Sequence, residues 1–329
     1  MEKLLSVSVA SYNLGEMILD NLKSFCESKV SDFVEVIVTD DGSKDNTPQI
    51  VEEYAKKYPK TIKLIKKKNE GPGSTVNSGI KNATGKYFRM VDGDDWVNTK
   101  NLEEFVEFLK TCNSDMVVCD YVFYDESKHE ICETRTFDLT PLVEQKFDDA
   151  SKNVPNEMHA IVYKTEIMQK NNIVLDNCFY TDVEYVLFPI KYVKTVSYFN
   201  KVLYNYRIGQ AGQSVNINSM KKNIAMHDLV LTHLCQDYEQ NKQNMSDEQK
   251  AFIISRLGVM ANTQLGVLLC FDVNKGNKQR VKNFAKELKQ KSTDIFNEFK
   301  KSKRYKILSL SCYLLYGFVA RKFQKQKLI

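Results

Sequence analysis

The residues with the clearest capacity for chemistry are the three carboxylates of Asp92-Gly93-Asp94-Asp95, which end the run Tyr87-Phe88-Arg89-Met90-Val91 and precede Trp96. Three negative charges in four residues repel one another, so such a turn usually exists to hold something positive. A hard octahedral cation, Mg2+ or Mn2+, takes one or two carboxylates and fills its shell with water and phosphate oxygens. The plainer alternative is a solvated Asp-Gly turn that caps the next helix. A second acidic turn, Asp40-Asp41-Gly42-Ser43, runs into Asp45-Asn46-Thr47-Pro48, a good helix start. Beyond capping, one of its carboxylates suits a base edge or a ribose hydroxyl. Tyr12 could stack on that base, although an aromatic at a strand end more often packs. Asn69-Glu70-Gly71-Pro72-Gly73-Ser74 is a Gly-rich lead into a helix, able to bring backbone N–H groups close to a phosphate. It is not G-x-G-x-x-G and has no P-loop lysine, so dinucleotide and NTPase readings lose their usual support. Asp182 lies among aromatics in Phe179-Tyr180-Thr181-Asp182-Val183-Glu184-Tyr185. Burial among rings would raise its pKa and make it a usable general base, while an N-cap is the competing role.

These residues need a frame that brings them together. Short β-branched runs alternate with amphipathic stretches through the first third of the chain, the pattern of repeated βα units and a largely parallel sheet in an α/β fold. Strands are expected at Leu4 to Ala10, Val34 to Asp40, Ile62 to Lys66, Tyr87 to Asp92 and Met116 to Asp120. Helices are expected at about Glu16 to Ser28, Asn46 to Tyr58, Gly73 to Asn82 and Lys100 to Cys112. Ligands of open α/β sheets bind at the carboxyl ends of the strands, where this sequence puts Ser11-Tyr12-Asn13 and both acidic turns. From Asp125 to Val154 the pattern weakens, and Glu157 to Asn205 reads as helices and short strands completing the same domain. Beyond Gln213 the apolar spacing becomes helical, in Ile224 to Leu234, Ala251 to Phe271 and Val281 to Phe299. The expected organisation is a nucleotide-binding domain at 1–213, a helical region at 214–299 and a basic amphipathic tail at 300–329.

Composition narrows the classes. The 329 residues are 43% hydrophobic and 27% charged, a folded chain rather than a disordered one. Nine of the 47 basic residues fall from Lys300 onward, where there is no acid, leaving 38 basic against 42 acidic side chains before it. That asymmetry argues against a nucleic-acid groove in the body and for an anionic surface met by the tail. The eight cysteines show neither C-x-x-C pairs nor zinc spacing, which suits reduced thiols in the cytoplasm. Met1-Glu2-Lys3 leads straight into a strand-like stretch without the apolar core of a signal peptide. The longest apolar run, Ile307 to Ala320, is shorter than the roughly 20 residues of a membrane span. Flanked by Lys and Arg, it suits a helix lying on an anionic leaflet, with a docked terminal helix as the alternative. The expected location is the cytoplasmic side of the cell membrane.

Taken in order, six segments resemble family 2 glycosyltransferases, inverting enzymes with the GT-A fold: Val7 to Asn13, Val36 to Thr47 (VIVTDDGSKDNT), Asn69 to Ile80 (NEGPGSTVNSGI), Gly85 to Trp96 (GKYFRMVDGDDW), Tyr180 to Tyr185 and Tyr204 to Ser214 (YNYRIGQAGQS). The resemblance implies a GT-A, Rossmann-like, nucleotide-sugar-binding domain with a mostly parallel sheet. It places Ala10 and Tyr12 beside a uracil and ribose, and Asp41 on the base, with Asn69, Gly71 and Gly93 also at the donor. It puts Asp92 near the ribose and Asp94 on a Mn2+ or Mg2+ ion, as the family's D-x-D pair. Asp182 matches the catalytic base of the family's "ED" motif, with Thr181 where Glu is frequent. Arg207 and Ser214 would belong to a loop closing over the diphosphate. Val76 stands where many members carry Arg, so Arg207 or Arg89 is expected to supply the missing cation; Ala10 replaces a common Pro.

The implied partners are a UDP-sugar donor and a glycan or lipid-linked acceptor of cell-surface polysaccharide synthesis, without nucleic acid. Three other readings compete. A processive synthase would carry Q-x-x-R-W, which a chain whose one Trp is Trp96 lacks. A nucleotidyltransferase would open on a basic Gly-rich stretch, unlike Ser6 to Gly15. A catalytically silent sugar-nucleotide-binding protein would bind donor without turnover. His159 is read as structural, as a lone His more often is.

Overall fold

The structure is a computed structural model that describes residues 2–209 and 217–325. The chain divides into two compact units, residues 1–210 and 211–329.

The first unit is built on one mixed, mostly parallel sheet with helices against it, as the sequence predicts. Its strands are β1 (Leu5–Ser11), β2 (Val34–Asp40), β3 (Ile62–Lys66), β4 (Tyr87–Asp92), β5 (Trp96–Val97), β6 (Met116–Asp125), β7 (Glu130–Arg135), β8 (Gln145–Lys146), β9 (Ile161–Lys164) and β10 (Thr195–Ile208). The main order is β3-β2-β1-β4-β9-β6-β10-β5, with β7 on β6 and β8 on β10. The helices are α1 (Ile18–Cys26), α2 (Thr47–Lys57), α3 (Pro72–Asn82), α4 (Thr99–Thr111), α5 (Phe147–Ala150), α6 (Thr165–Lys170) and α7 (Thr181–Leu187).

Central strands such as β1 are buried on both faces, which explains the near-continuous apolar runs of β1, β2 and β4. From β1 the chain moves outward through β2 to β3, all parallel, and then returns to place β4 on the other side of β1. The strand order therefore reverses between β1 and β4, the point where open α/β sheets form a crevice beyond their carboxyl ends. Ala10 and Asp92 are register partners at that reversal.

Two elements differ from the sequence expectation. β6 continues past Asp120 to Asp125, because its second half is paired on both sides, by β7 and by β10. β10 is a 14-residue strand whose register with β6 shifts between Phe199 and Tyr204. Such irregularities bend a strand and re-aim its side chains, here directing Tyr204 and Arg207 onto the acidic turn.

The described part of the second unit is helical: α8 (Ile217–Lys222), α9 (Ile224–Asn241), α10 (Asp247–Leu269), α11 (Lys275–Lys291), α12 (Thr293–Phe299), α13 (Lys303–Leu310) and α14 (Tyr316–Lys325). α10 starts on a complete capping box between Ser246 and Gln249. It is long and apolar enough to cross a membrane, but it is the core helix of this unit, packed by α9, α11, α12 and α14. The tail from Lys303 forms two short helices, α13 and α14, joined by a turn, where the sequence suggested one continuous helix.

Candidate active site

The acidic turn is held from three directions. The Asp95 N–H closes the turn on the Asp92 carbonyl at 3.1 Å, and Asn21 Nδ2 donates to the carbonyls of Asp95 at 2.9 Å and Asp92 at 3.3 Å. Gly93 is required by space: a Cβ there would lie 2.6 Å from the Ala10 carbonyl oxygen and 2.3 Å from Leu14 Cδ1. Asp95 is buried, and its carboxylate accepts from the Tyr204 hydroxyl and, at 2.7 Å, from the Arg207 backbone N–H. Asp95 thus points inward and locks β10 to the turn, while Asp92 and Asp94 are half-buried.

Electrostatics make this turn a candidate cation site. Burial, reinforced by the charges of Asp94 and Asp182, pushes the Asp92 carboxyl up to about 8. Burial also raises Asp94 and Asp95. Ligand atoms of Asp92, Asp95 and His159 lie within 4.8 Å of one another. His159 Nδ1 is buried without a hydrogen-bond partner, and burial with the neighbouring Arg89 holds the imidazole down at about 3, in the neutral form that metals bind. The carboxylate oxygens suit Mn2+ or Mg2+, and an imidazole beside them favours the transition ion, Mn2+, of the two. The structure therefore adds His159 as a candidate ligand, where the sequence treated it as structural. The carboxylate of Asp94, expected on the metal, lies outside that group of three, although it is close enough to Asp92 to raise it.

Asp182 lies near enough to the turn for its charge to reach Asp92. It sits at the start of α7, preceded by Tyr180 in the left-handed region at φ 75°, a costly conformation for a non-glycine residue. Its charge contributes to the upward shifts of Asp92 and Tyr206. The second acid of α7, Glu184, is buried, accepts from the Asp176 N–H at 2.8 Å and is pushed by burial up to about 9. At neutral pH Glu184 holds its proton, which leaves it unsuited to accept another.

The Gly-rich segment before α3 has a role that its composition did not reveal. Gly73 abuts the chain leading to α7, where a Cβ would lie 1.8 Å from the Asp176 carbonyl oxygen. Asn77 hydrogen-bonds both the N–H (2.9 Å) and the carbonyl (2.8 Å) of Leu175. α3 therefore positions the Asp182 segment. The N–H groups expected to meet a phosphate are engaged otherwise: those of Glu70 and Gly71 each donate to the buried Asp41 carboxylate at 2.9 Å. Lys67 Nζ adds a third contact to Asp41 at 3.0 Å. Asp41, expected on a base, here organises the loop that carries Asn69 and Gly71.

Among the other expected residues, Ala10 is half-buried beside Asp92, Asn69 is exposed and Tyr12 is 48% exposed at the crevice rim. The loops after β1 and β2 are joined by Asn13 N–H to Ser43 Oγ (2.9 Å) and Lys44 N–H to Asn13 Oδ1 (2.7 Å). Arg207, expected in a loop, lies in β10 and is buried, its guanidinium bonded to Asp20 and Glu126 at 2.6 Å each and to the Asp94 carbonyl at 2.7 Å. It also stacks over Trp96 at 4.6 Å, behind the turn, where an open cleft of about 710 Å³ begins. Arg89 is fully buried, bonded to the His159 carbonyl and 5.1 Å over the Tyr204 ring. Both arginines named as substitutes for a cation at the buried Val76 are thus engaged inside the protein. Ser214 lies outside the described residues.

The family model for glycosyl transferase family 2 matches residues 6–175, which include both acidic turns and end before Asp182. TarS of Staphylococcus aureus, a poly(ribitol-phosphate) beta-N-acetylglucosaminyltransferase, is 34% identical over 115 residues, 34% of this chain and 20% of that protein. EpsH of Bacillus subtilis, named as a glycosyltransferase, is 36% identical over 127 residues, 37% of this chain and 36% of that protein. The chain thus matches about a third or less of the length of these two relatives. In fold, TarS residues 1–349 in complex with UDP superimpose with a TM-score of 0.65 at 19% identity, covering 98% of this chain and 90% of that one. A mannosyltransferase from Pyrobaculum calidifontis in complex with GDP-Man and Mn2+ superimposes with a TM-score of 0.52 at 15% identity, covering 98% and 87%.

Proposed function

The chain belongs to glycosyl transferase family 2, and from that premise we propose that it is a metal-dependent, inverting enzyme that moves a sugar from a UDP-sugar to a hydroxyl of a glycan or lipid-linked acceptor in cell-surface polysaccharide synthesis. The observation that carries this reading is the acidic turn at the β1/β4 reversal, braced by Tyr204 and Arg207, with Asp182 at the start of α7 near enough for its charge to raise Asp92. A displacement at an anomeric carbon needs a base beside an acidic donor turn, and Asp182 near Asp92 supports that reading. Support for the donor comes from TarS, solved with UDP, and support for the metal from the mannosyltransferase, solved with Mn2+.

In this mechanism Asp182 accepts the proton of the acceptor hydroxyl as that oxygen attacks the anomeric carbon from the face opposite the nucleotide. Tyr12 and Ala10 flank the nucleotide, and Asp41 keeps the Asn69–Gly71 loop in place behind it. Asp95, through Tyr204 and Arg207, fixes the position of Asp92 and Asp94. Asp92 and Asp94, with the imidazole of His159 in reach of the first, would hold the divalent ion, which when bound neutralises charge on the departing diphosphate.

The test is turnover of a panel of nucleotide-sugars by the purified chain, with Mn2+ or Mg2+ and with EDTA. Metal-dependent release of UDP that increases with acceptor glycan is expected. Release of pyrophosphate would indicate nucleotidyl transfer, and donor binding without turnover a silent binding protein; either outcome overturns the reading.

A further inference from the structure

The turn joining α13 to α14 is the most apolar exposed surface among the described residues. Of 14 large apolar side chains that stand exposed, five fall between Ile307 and Phe318: Ile307, Leu310, Leu314, Leu315 and Phe318. Leu310 and Leu314 are 85% and 81% exposed. The opposite side of α14 is satisfied within its own unit, since Tyr316, Val319, Ala320 and Phe323 are buried and Phe323 lies against Gly266 of α10. The tail is therefore anchored by one face and offers the other. This is not a fraying end: the turn's N–H groups are tied internally, Cys312 to the Ser309 carbonyl, Tyr313 to Leu308, Leu314 to Ser311 and Tyr316 to Tyr313. Two left-handed residues in succession, Cys312 and Tyr313, shape the turn that pushes the leucines outward.

The charge around this tip selects its partner. Exposed Lys303 and Lys306 precede it, exposed Arg321, Lys322 and Lys325 follow it, and no acidic residue occurs from Lys300 onward. A second copy of the chain would bring the same cations against these, a repulsive pairing. A bilayer with anionic headgroups meets both demands, taking the apolar tip into its headgroup boundary and the cations onto its surface. A turn whose backbone is already hydrogen-bonded can enter that boundary without stranding polar groups. We propose that the α13–α14 turn is a shallow insertion tip for an anionic phospholipid leaflet. Leu310, Leu314, Leu315 and Phe318 enter the leaflet, and the flanking Lys and Arg residues contact the headgroups. The tip differs from the surface-lying helix suggested by the sequence, because only the turn and the first residues of α14 reach the lipid.

The experiment is flotation of the full chain with phosphatidylcholine vesicles, with and without phosphatidylglycerol, at low and high salt. No sugar donor or acceptor is present, so the result is independent of the catalytic reading. Binding is expected only with phosphatidylglycerol and is expected to weaken with salt. Leu314→Ser with Phe318→Ser, and separately Lys303→Glu with Lys322→Glu, should each lower partitioning by about tenfold or more. These side chains are exposed, so circular dichroism and thermal unfolding of both variants should match the parent. Absence of binding, equal binding to neutral vesicles, or binding that survives both variants overturns the proposal. So does concentration-dependent self-association in light scattering that the serine variant abolishes while vesicles stay unbound, which would assign the face to a second copy.

Discussion

The hydroxyl of Tyr204 donates to the buried carboxylate of Asp95 and at the same time accepts the Asp92 backbone N–H at 3.2 Å. One phenol on a bent strand thus sets the position of a turn 112 residues away in sequence. Arg89 lies over the ring of the same tyrosine, so its removal would disturb both ends of the contact. Tyr204→Phe keeps the ring and deletes only the hydroxyl. It should cost about 1–2 kcal/mol of stability, the range for a lost buried hydrogen bond. It should also weaken Mn2+ binding, because Asp92 loses a backbone restraint. Chemical denaturation and metal titration by calorimetry check the two effects, and an unchanged metal affinity would show that the turn holds its shape without Tyr204.

The upward shift of Asp92 gives the metal-free protein a defined pH dependence. Its carboxyl titrates near 4 in the unfolded chain and near 8 in the folded one, so between these values the folded state binds the extra proton. Stability from this group is therefore greatest at the acidic end of that window and falls as pH rises toward 8. Glu184, raised to about 9, acts in the same sense. Thermal unfolding from pH 5 upward should show this decline without metal, and Asp92→Asn should flatten the part due to Asp92. Mn2+ should stabilise increasingly as pH rises, since it takes the place of the proton. An unaltered slope in Asp92→Asn would mean that the carboxyl does not carry the shift.

What could be read in the sequence followed from local pattern. Strands β1 to β4 and helices α2 to α4 announce themselves through apolar runs, the Pro at the starts of α2 and α3, and the acidic turns, and β2, β3 and β4 have the ends expected of them. The partners across the fold were not legible. The hydrogen bonds that the Asp41 carboxylate accepts from Glu70 and Gly71 could not be read, because these partners lie 29 and 30 residues away. His159 reads as isolated because its approach to Asp92 depends on β9 pairing antiparallel to β4 just beyond it. β10 hides because its shifted register breaks the alternation that would have marked one long strand, and its mixture of Tyr, Asn and Arg serves the acidic turn rather than an apolar core. Gly73 and Asn77 lie in the same motif as Asn69 and Gly71, and their contacts to the segment that leads to Asp182 span a distance in sequence that no local pattern reveals.

The separation of roles within α7 leads to the most direct test of mechanism. Asp182 and Glu184 are two residues apart on a short helix but differ in surroundings: Glu184 is buried and bonded to the Asp176 N–H, whereas Asp182 is half-buried and its charge reaches Asp92. If Asp182 is the base, Asp182→Asn preserves the shape of the site, removes the proton acceptor and leaves UDP affinity within about threefold. Loss of a positioned general base typically costs about 10²–10⁴-fold in kcat. The Glu184→Gln variant should instead keep kcat within about tenfold and leave the fold intact, because a neutral amide replaces a buried carboxyl that already holds its proton and still accepts from the Asp176 N–H. Both are read from steady-state release of UDP and from UDP binding by calorimetry. Retention of full kcat by Asp182→Asn, or a loss in Glu184→Gln equal to that in Asp182→Asn with the fold intact, would remove Asp182 from the base role.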